Sequence, residues 1–195
     1  MNDSIFIRNI SEHLKVVELL KTVDGAVETI GKIAGKCLRS GGKVLLCGNG
    51  GSAADSQHIA AELTGRFVAA RRPYAALALS TDSASLTCIS NDYSFSEVFA
   101  RQVIALGRKG DILIGISTSG NSVNVVRAFE EAARIGIVTV CLTGGNGGLL
   151  TTVSDYNITV HSATTARIQE CHILIGHTIC EIIEKEMEEK LTVIN

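Results

Sequence analysis

Five short apolar runs, KVLLCG, YAALALS, DILIGIS, VTVCLTG and YNITVHS, constrain the fold of this chain more than any other feature of it. Each is of strand length, and the first is stopped by glycine, as a buried parallel strand is. Most are separated by helix-length amphipathic stretches such as Val123 to Ile135. Alternating strand and helix predicts an α/β architecture, a central parallel sheet flanked by helices on both faces. Ahead of the first run, Leu14, Val17, Leu20, Val23, Val27, Ile30, Ile33 and Ala34 recur every three or four positions. That period predicts one long N-terminal helix from about Ser11 to Leu38, with Gly25, Gly31 and Gly35 marking either a break or a close packing. The last segment, RIQECHILIGHTICEIIEKEMEEKL, reads as a long helix, apolar early and charged late, whose charged end is a solvated tail.

A chain of 195 residues with 46% hydrophobic content suits a single domain, residues 1–195, with a helical N-terminal segment over about 1–40. A formal net charge of −2 without a Lys/Arg cluster argues against nucleic acid and membrane surfaces and favours a small polar substrate. The six cysteines, Cys37, Cys47, Cys88, Cys141, Cys171 and Cys180, are scattered with no CxxC pair, mostly in apolar runs. They read as buried thiols in a reducing cytoplasm. No apolar run has the length of a signal peptide or a membrane span, so a soluble, unprocessed protein is expected.

Three of the runs end in loops of small residues: CGNGGS (Cys47 to Ser52), STSGNS (Ser117 to Ser122) and TGGNGG (Thr143 to Gly148). In an open parallel sheet the carboxyl ends of the strands form the ligand-binding edge. Glycine lets the backbone approach an anion, and serine hydroxyls and helix-start N–H groups donate to it. Ser117, Thr118, Ser119 and Ser122 put four hydroxyls within six residues, a stronger phosphate signal than glycine alone. The first loop is neither the GxGxxG of a dinucleotide site nor a Walker loop. TGGNGG is read as structural.

Behind the first loop, His58 and Glu62 stand at i and i+4, on one face of the predicted helix. That spacing suits two metal ligands, or a base and its orienting partner; a plain surface contact has it too. In the last helix, at about 100° per residue, His172 and His177 lie on opposite sides of Gln169, so at most one of them joins it in a site. Ser90 to Asp92 reads as an Asx turn or as part of the site.

Taken together, GGKVLLCGNGGSAADSQHIAAELTGRF, SNDYSF, GDILIGISTSGNS and ARIQECHILIGHTICEIIE resemble the sugar isomerase (SIS) domain family, from about Gly41 to Met187. They look most like its branch that isomerises sedoheptulose 7-phosphate to D-glycero-D-manno-heptose 7-phosphate, the start of activated-heptose supply for lipopolysaccharide, capsule or S-layer glycan. The resemblance implies a three-layer, flavodoxin-like SIS fold and a cytoplasmic enzyme. It implies the sugar phosphate on Ser52, Ser117, Thr118, Ser119 and Ser122, with further substrate contacts from Asn49, Gly50, Gly51, Glu62, Asn91, Asp92 and Gln169. One zinc ion per subunit is implied on His58, Glu62, Gln169 and His177, with Glu62 and His177 as the acid/base pair, so the resemblance selects His177 over His172. A homotetramer with sites at subunit interfaces, Arg66 reaching a neighbour's site, is implied too. The chain departs from close members of the family in AADSQ, which touches none of these positions.

Two other readings stand beside this one. A non-catalytic SIS-domain binding protein of the replication-initiator-associating type shares RIQE but lacks the glutamate of AELTGR and the late histidine, both present here. A sugar-phosphate sensor joined to a DNA-binding domain needs a helix-turn-helix and a basic surface that this composition does not supply.

Overall fold

The computed structural model describes residues 4–188. In chain order it contains α1 (Ile5–Leu19), α2 (Asp24–Arg39), β1 (Val44–Gly48), α3 (Gly51–Thr64), β2 (Ala76–Ala78), α4 (Ser83–Asp92), α5 (Ala100–Leu106), β3 (Ile112–Ser117), α6 (Val123–Ile135), β4 (Val138–Gly144), α7 (Leu150–Val153), β5 (Tyr156–Val160) and α8 (Thr165–Glu188). Each strand falls inside one of the five apolar runs. All pair in parallel in the order β2-β1-β3-β4-β5, the flavodoxin-like order.

Strand alternation sorts the core into two layers. Val44 and Leu46 of β1 with Ile112, Ile114 and Ile116 of β3 face the side covered by α2, α3 and α8. Leu45, Cys47 and Leu113 face the side covered by α5 and α6. Gly115 lets α6 lie close to the sheet, because a Cβ there would meet Phe129 and Val125. Capping agrees with packing: Asp82 accepts the N–H groups of Ala84 and Ser85 at the start of α4, and Gly136 closes α6 at φ 84°. Five of the six cysteines are buried, and all are free thiols.

The predicted long N-terminal helix is two helices. A single turn of 3₁₀ helix, Leu20–Val23, separates α1 from α2. That break precedes Gly25, and Gly31 and Gly35 serve close packing instead: a Cβ on Gly31 would lie 2.6 Å from Ile182, and one on Gly35 2.8 Å from Glu186. The charged end of α8 also differs from its expectation. Glu184 is buried, and Glu186 pairs with Arg39, because α2 and the loop after α3 cover that part of the helix. The final residues of the expected tail, 189–191, lie outside the described residues.

Candidate active site

β1 and β3 are neighbours from which the sheet order reverses, so their loops open one crevice at the carboxyl edge. After β1 the chain turns at Gly50, whose φ of 56° suits glycine, and enters α3 at once. Ser52, at the first turn of α3, is buried and donates its N–H to the Asn49 carbonyl at 3.0 Å. After β3, Ser122 begins α6 without its side chain capping the helix; its hydroxyl lies 2.8 Å from that of Ser117. Ser117 is buried, Thr118 half-buried and Ser119 exposed, which grades the hydroxyls from the sheet outward.

A residue missed in the sequence joins the two loops. The side-chain amides of Asn49 and Asn124 pair reciprocally, each donating to the other's oxygen at 2.9 Å. Asn124 is buried in the first turn of α6. The signal available was a polar residue at a position of α6 that faces the core. The third loop supports the second: Leu150 N–H donates to the Gly120 carbonyl, and Leu149 N–H to the Asn121 side chain at 2.9 Å. Gly120, at φ 66°, sits where a Cβ would strike the Gly147 carbonyl. The structural reading of TGGNGG agrees with this placement.

The second part of the site comes from two helices. α3 and α8 run side by side in one direction, Gly51 beside Gln169 and Ile59 beside Gly176; a Cβ at either glycine would collide with that neighbour. His58 and His177 immediately flank the Ile59–Gly176 contact, which brings them together. His58 Nε2 lies 3.0 Å from Glu62 Oε1 and 3.4 Å from His177 Nε2. The two rings meet edge to face at 75°, their centroids 4.9 Å apart. Phe67 lies against His177 with ring centroids 5.4 Å apart.

Donor atoms of His58, Glu62 and His177 all lie within 4.8 Å of one another, the geometry of a small cation site. Tetrahedral zinc, with bonds of about 2.0–2.1 Å, needs neighbouring ligand atoms about 3.4 Å apart. The separations of 3.0 and 3.4 Å are of that size, and two imidazoles with a carboxylate are a usual zinc donor set, so these residues fit the metal. Gln169 is placed at the head of the first loop, against Gly51.

Asp55 points the same way from one turn earlier on α3. Burial raises its pKa while His58 and His177 lower it, and burial prevails. Its Oδ2 is buried without a hydrogen-bond partner. Asn91 and Asp92 form the last turn of α4 rather than an Asx turn; their side-chain hydrogen bonds are to each other and to Cys88. Arg66, just beyond α3, is exposed.

The structure separates the two histidines that helical spacing left open. His172 is fully buried, with Nε2 3.0 Å from the Thr143 carbonyl. Burial lowers its pKa more than that hydrogen bond raises it. It is a neutral core imidazole with Nε2–H as donor, away from the cluster.

The SIS domain family matches residues 6–144, from α1 through β4. The chain is 49% identical over 174 residues to phosphoheptose isomerase 1 of Campylobacter jejuni, spanning 89% of this chain and 94% of that one. It is 52% identical over 164 residues to the phosphoheptose isomerase of Aquifex aeolicus, spanning 84% and 85%. Among solved structures, a phosphoheptose isomerase from Neisseria gonorrhoeae matches with a TM-score of 0.88 at 42% identity, covering 92% of this chain and 97% of that one.

Proposed function

The chain belongs to the SIS domain family and, within it, to the phosphoheptose isomerases; we propose that it isomerises sedoheptulose 7-phosphate to D-glycero-D-manno-heptose 7-phosphate at the crevice between β1 and β3. The observation that carries this reading is the convergence of His58, Glu62 and His177 behind a hydroxyl-rich anion loop. A binding role without catalysis is not favoured, since Glu62 and His177 are both present and face one another across His58.

In this reading Ser52 and the Ser117, Thr118, Ser119 and Ser122 hydroxyls hold the phosphate, and Asn49, Gly50, Gly51, Asn91, Asp92 and Gln169 contact the rest of the substrate. Glu62 takes the proton from C1 of the ketose while His177 gives one to the C2 oxygen, leaving an enediol. Returning the carbon-bound proton to C2, as the C1 hydroxyl gives its proton to His177, forms the aldose and restores both side chains. A zinc ion on His58, Glu62 and His177, with Gln169 as a further ligand, would polarise the substrate oxygens and stabilise developing negative charge. Glu62 and His177 would move protons only through atoms that such a metal did not hold.

A homotetramer with sites at subunit interfaces is part of the same proposal. Phe6, Ile10 and Leu14, at i, i+4 and i+8 on α1, are exposed on the single chain, an apolar stripe suited to another subunit. No helix among the described residues is long and apolar enough to cross a membrane, and the buried free thiols suit a reducing cytoplasm.

The test is an isomerisation assay on the purified protein with sedoheptulose 7-phosphate, with added zinc and again after chelation. Turnover that falls on chelation is expected. Turnover that survives would remove zinc from the account and leave the acid/base pair. No turnover in either condition would overturn the isomerase.

A further inference from the structure

Seven residues beyond His177 on α8, almost two full turns on and so on the same face, lies Glu184. Its carboxylate is buried and accepts hydrogen bonds from the backbone N–H groups of Phe67, Val68 and Ala69 at 3.0, 3.1 and 3.1 Å. It also accepts one from Arg71 Nε at 2.7 Å. The other edge of that guanidinium reaches back to α3, donating from Nη2 to the Glu62 carbonyl at 2.8 Å and from Nη1 to the Leu63 carbonyl at 2.9 Å. Those carbonyls belong to the last turn of the helix, where no helical N–H follows to pair with them and a cation is favoured. Tyr74 packs against the guanidinium, 3.8 Å from ring centroid to Arg71 Cζ, and fixes its plane.

We propose that Glu184 and Arg71 are positioning residues that set the placement of Glu62 and Phe67 against His177. This rests on the isomerase reading. Neither side chain makes any of the hydrogen bonds within the His58, Glu62 and His177 cluster. Through them the end of α3 that carries Glu62 is tied to α8 at a point rigidly related to His177. The Phe67 N–H held by Glu184 belongs to the residue whose ring lies on His177.

Stability alone is a poor account of the arrangement. A buried ion pair is often matched or bettered by apolar side chains of similar volume. What apolar side chains would not reproduce is four donors converging on one carboxylate and two helix-end carbonyls capped by one guanidinium. Such a network fixes where a loop and a helix end lie.

The test uses Glu184→Gln, which keeps the shape and removes the charge, and Arg71→Lys, which keeps the charge and removes the fork. With the protein folded, kcat should fall about tenfold to a hundredfold, the scale of a small misplacement of catalytic groups. KM for sedoheptulose 7-phosphate should stay within about threefold, because the phosphate loops leave the sheet elsewhere. Independently of activity, the histidine side-chain NMR signals of His58 and His177 should move while those of His13 and His161 stay. Folded variants with wild-type kcat and unmoved His58 and His177 signals would overturn the proposal. If Glu184→Gln does not fold, Arg71→Lys decides by the same readouts; failure of both to fold would assign the pair to stability and overturn it too. If the wild-type protein does not turn over the substrate, the isomerase reading has failed, and the histidine signals alone decide the positioning.

Discussion

At the sheet edge, the Asn49–Ser52 and Ser117–Ser122 loops keep their shape through hydrogen bonds within and between neighbouring turns. His58, Glu62 and His177 meet for another reason: α3 and α8, far apart in sequence, pack at Ile59 and Gly176. The loops depend on local backbone geometry and a few hydroxyls, and changes there should stay local. The cluster depends on a helix–helix contact, so a substitution that touches no reacting atom should still reach the chemistry.

The largest effect that separates the two regions is on kcat. Glu62→Gln and His177→Gln, each folded, should lower kcat by about 10² to 10⁴, the usual worth of a general acid or base, with KM changed far less in steady-state assays. Next is the helix contact. Gly176→Ala puts a methyl group into Ile59, a strain of about 1–3 kcal/mol, and should lower kcat about tenfold or more by moving His177 from His58. Adding Ile59→Ala should recover much of that loss, and absence of recovery would show that the contact does not set the cluster.

The loops should respond in the other parameter. Ser119→Ala with Ser122→Ala should raise KM about tenfold and change kcat less, since these hydroxyls hold a phosphate that does not react. Asn124→Ala leaves Asn49 without its reciprocal partner and should cost about 1–3 kcal/mol in chemical denaturation, with the kinetic change again mainly in KM.

The smallest effect belongs to the histidine that lies outside both regions. His172→Gln should change kcat less than about threefold, because His172 bonds only the Thr143 carbonyl. It should show in pH dependence instead. Burial lowers the pKa of His172 in the folded protein from its ordinary value of 6.5. Below that value the unfolded chain takes up a proton that the folded chain resists, so stability falls as pH drops, and above it the residue contributes no slope. Denaturation midpoints between pH 7 and 5 should fall less steeply in His172→Gln than in the wild-type protein.

Much of the fold was legible because its signals are local. The apolar runs mark all five strands, and the amphipathic stretch Val123 to Ile135 coincides with α6. The position of the loops was legible too, since runs of glycine and serine after a strand mark the tight turn into the next element. The break at Leu20–Val23 was not: no proline or glycine falls in that turn. Asn124 and Glu184 escaped notice because their partners lie in other elements: Asn124 pairs with Asn49, and Glu184, within the charged end of the last helix, with Arg71. Spacing left His172 and His177 equal. Packing distinguishes them, placing one against the sheet at Thr143 and the other beside His58.

In this division of roles the helix pair moves the carbon-bound proton while the loops hold the substrate, chiefly by its phosphate. Turnover of sedoheptulose 7-phosphate in D₂O, followed by proton NMR at saturating substrate, tests it most directly. Wild-type protein and Ser119→Ala with Ser122→Ala should form the aldose at comparable kcat, with deuterium at C2 to the extent that the proton on Glu62 exchanges with solvent before its return, and Glu62→Gln should form it about 10² to 10⁴ times more slowly. Aldose formed by Glu62→Gln at the wild-type rate, or a fall in kcat as large in the serine double variant as in Glu62→Gln, would contradict this division of roles.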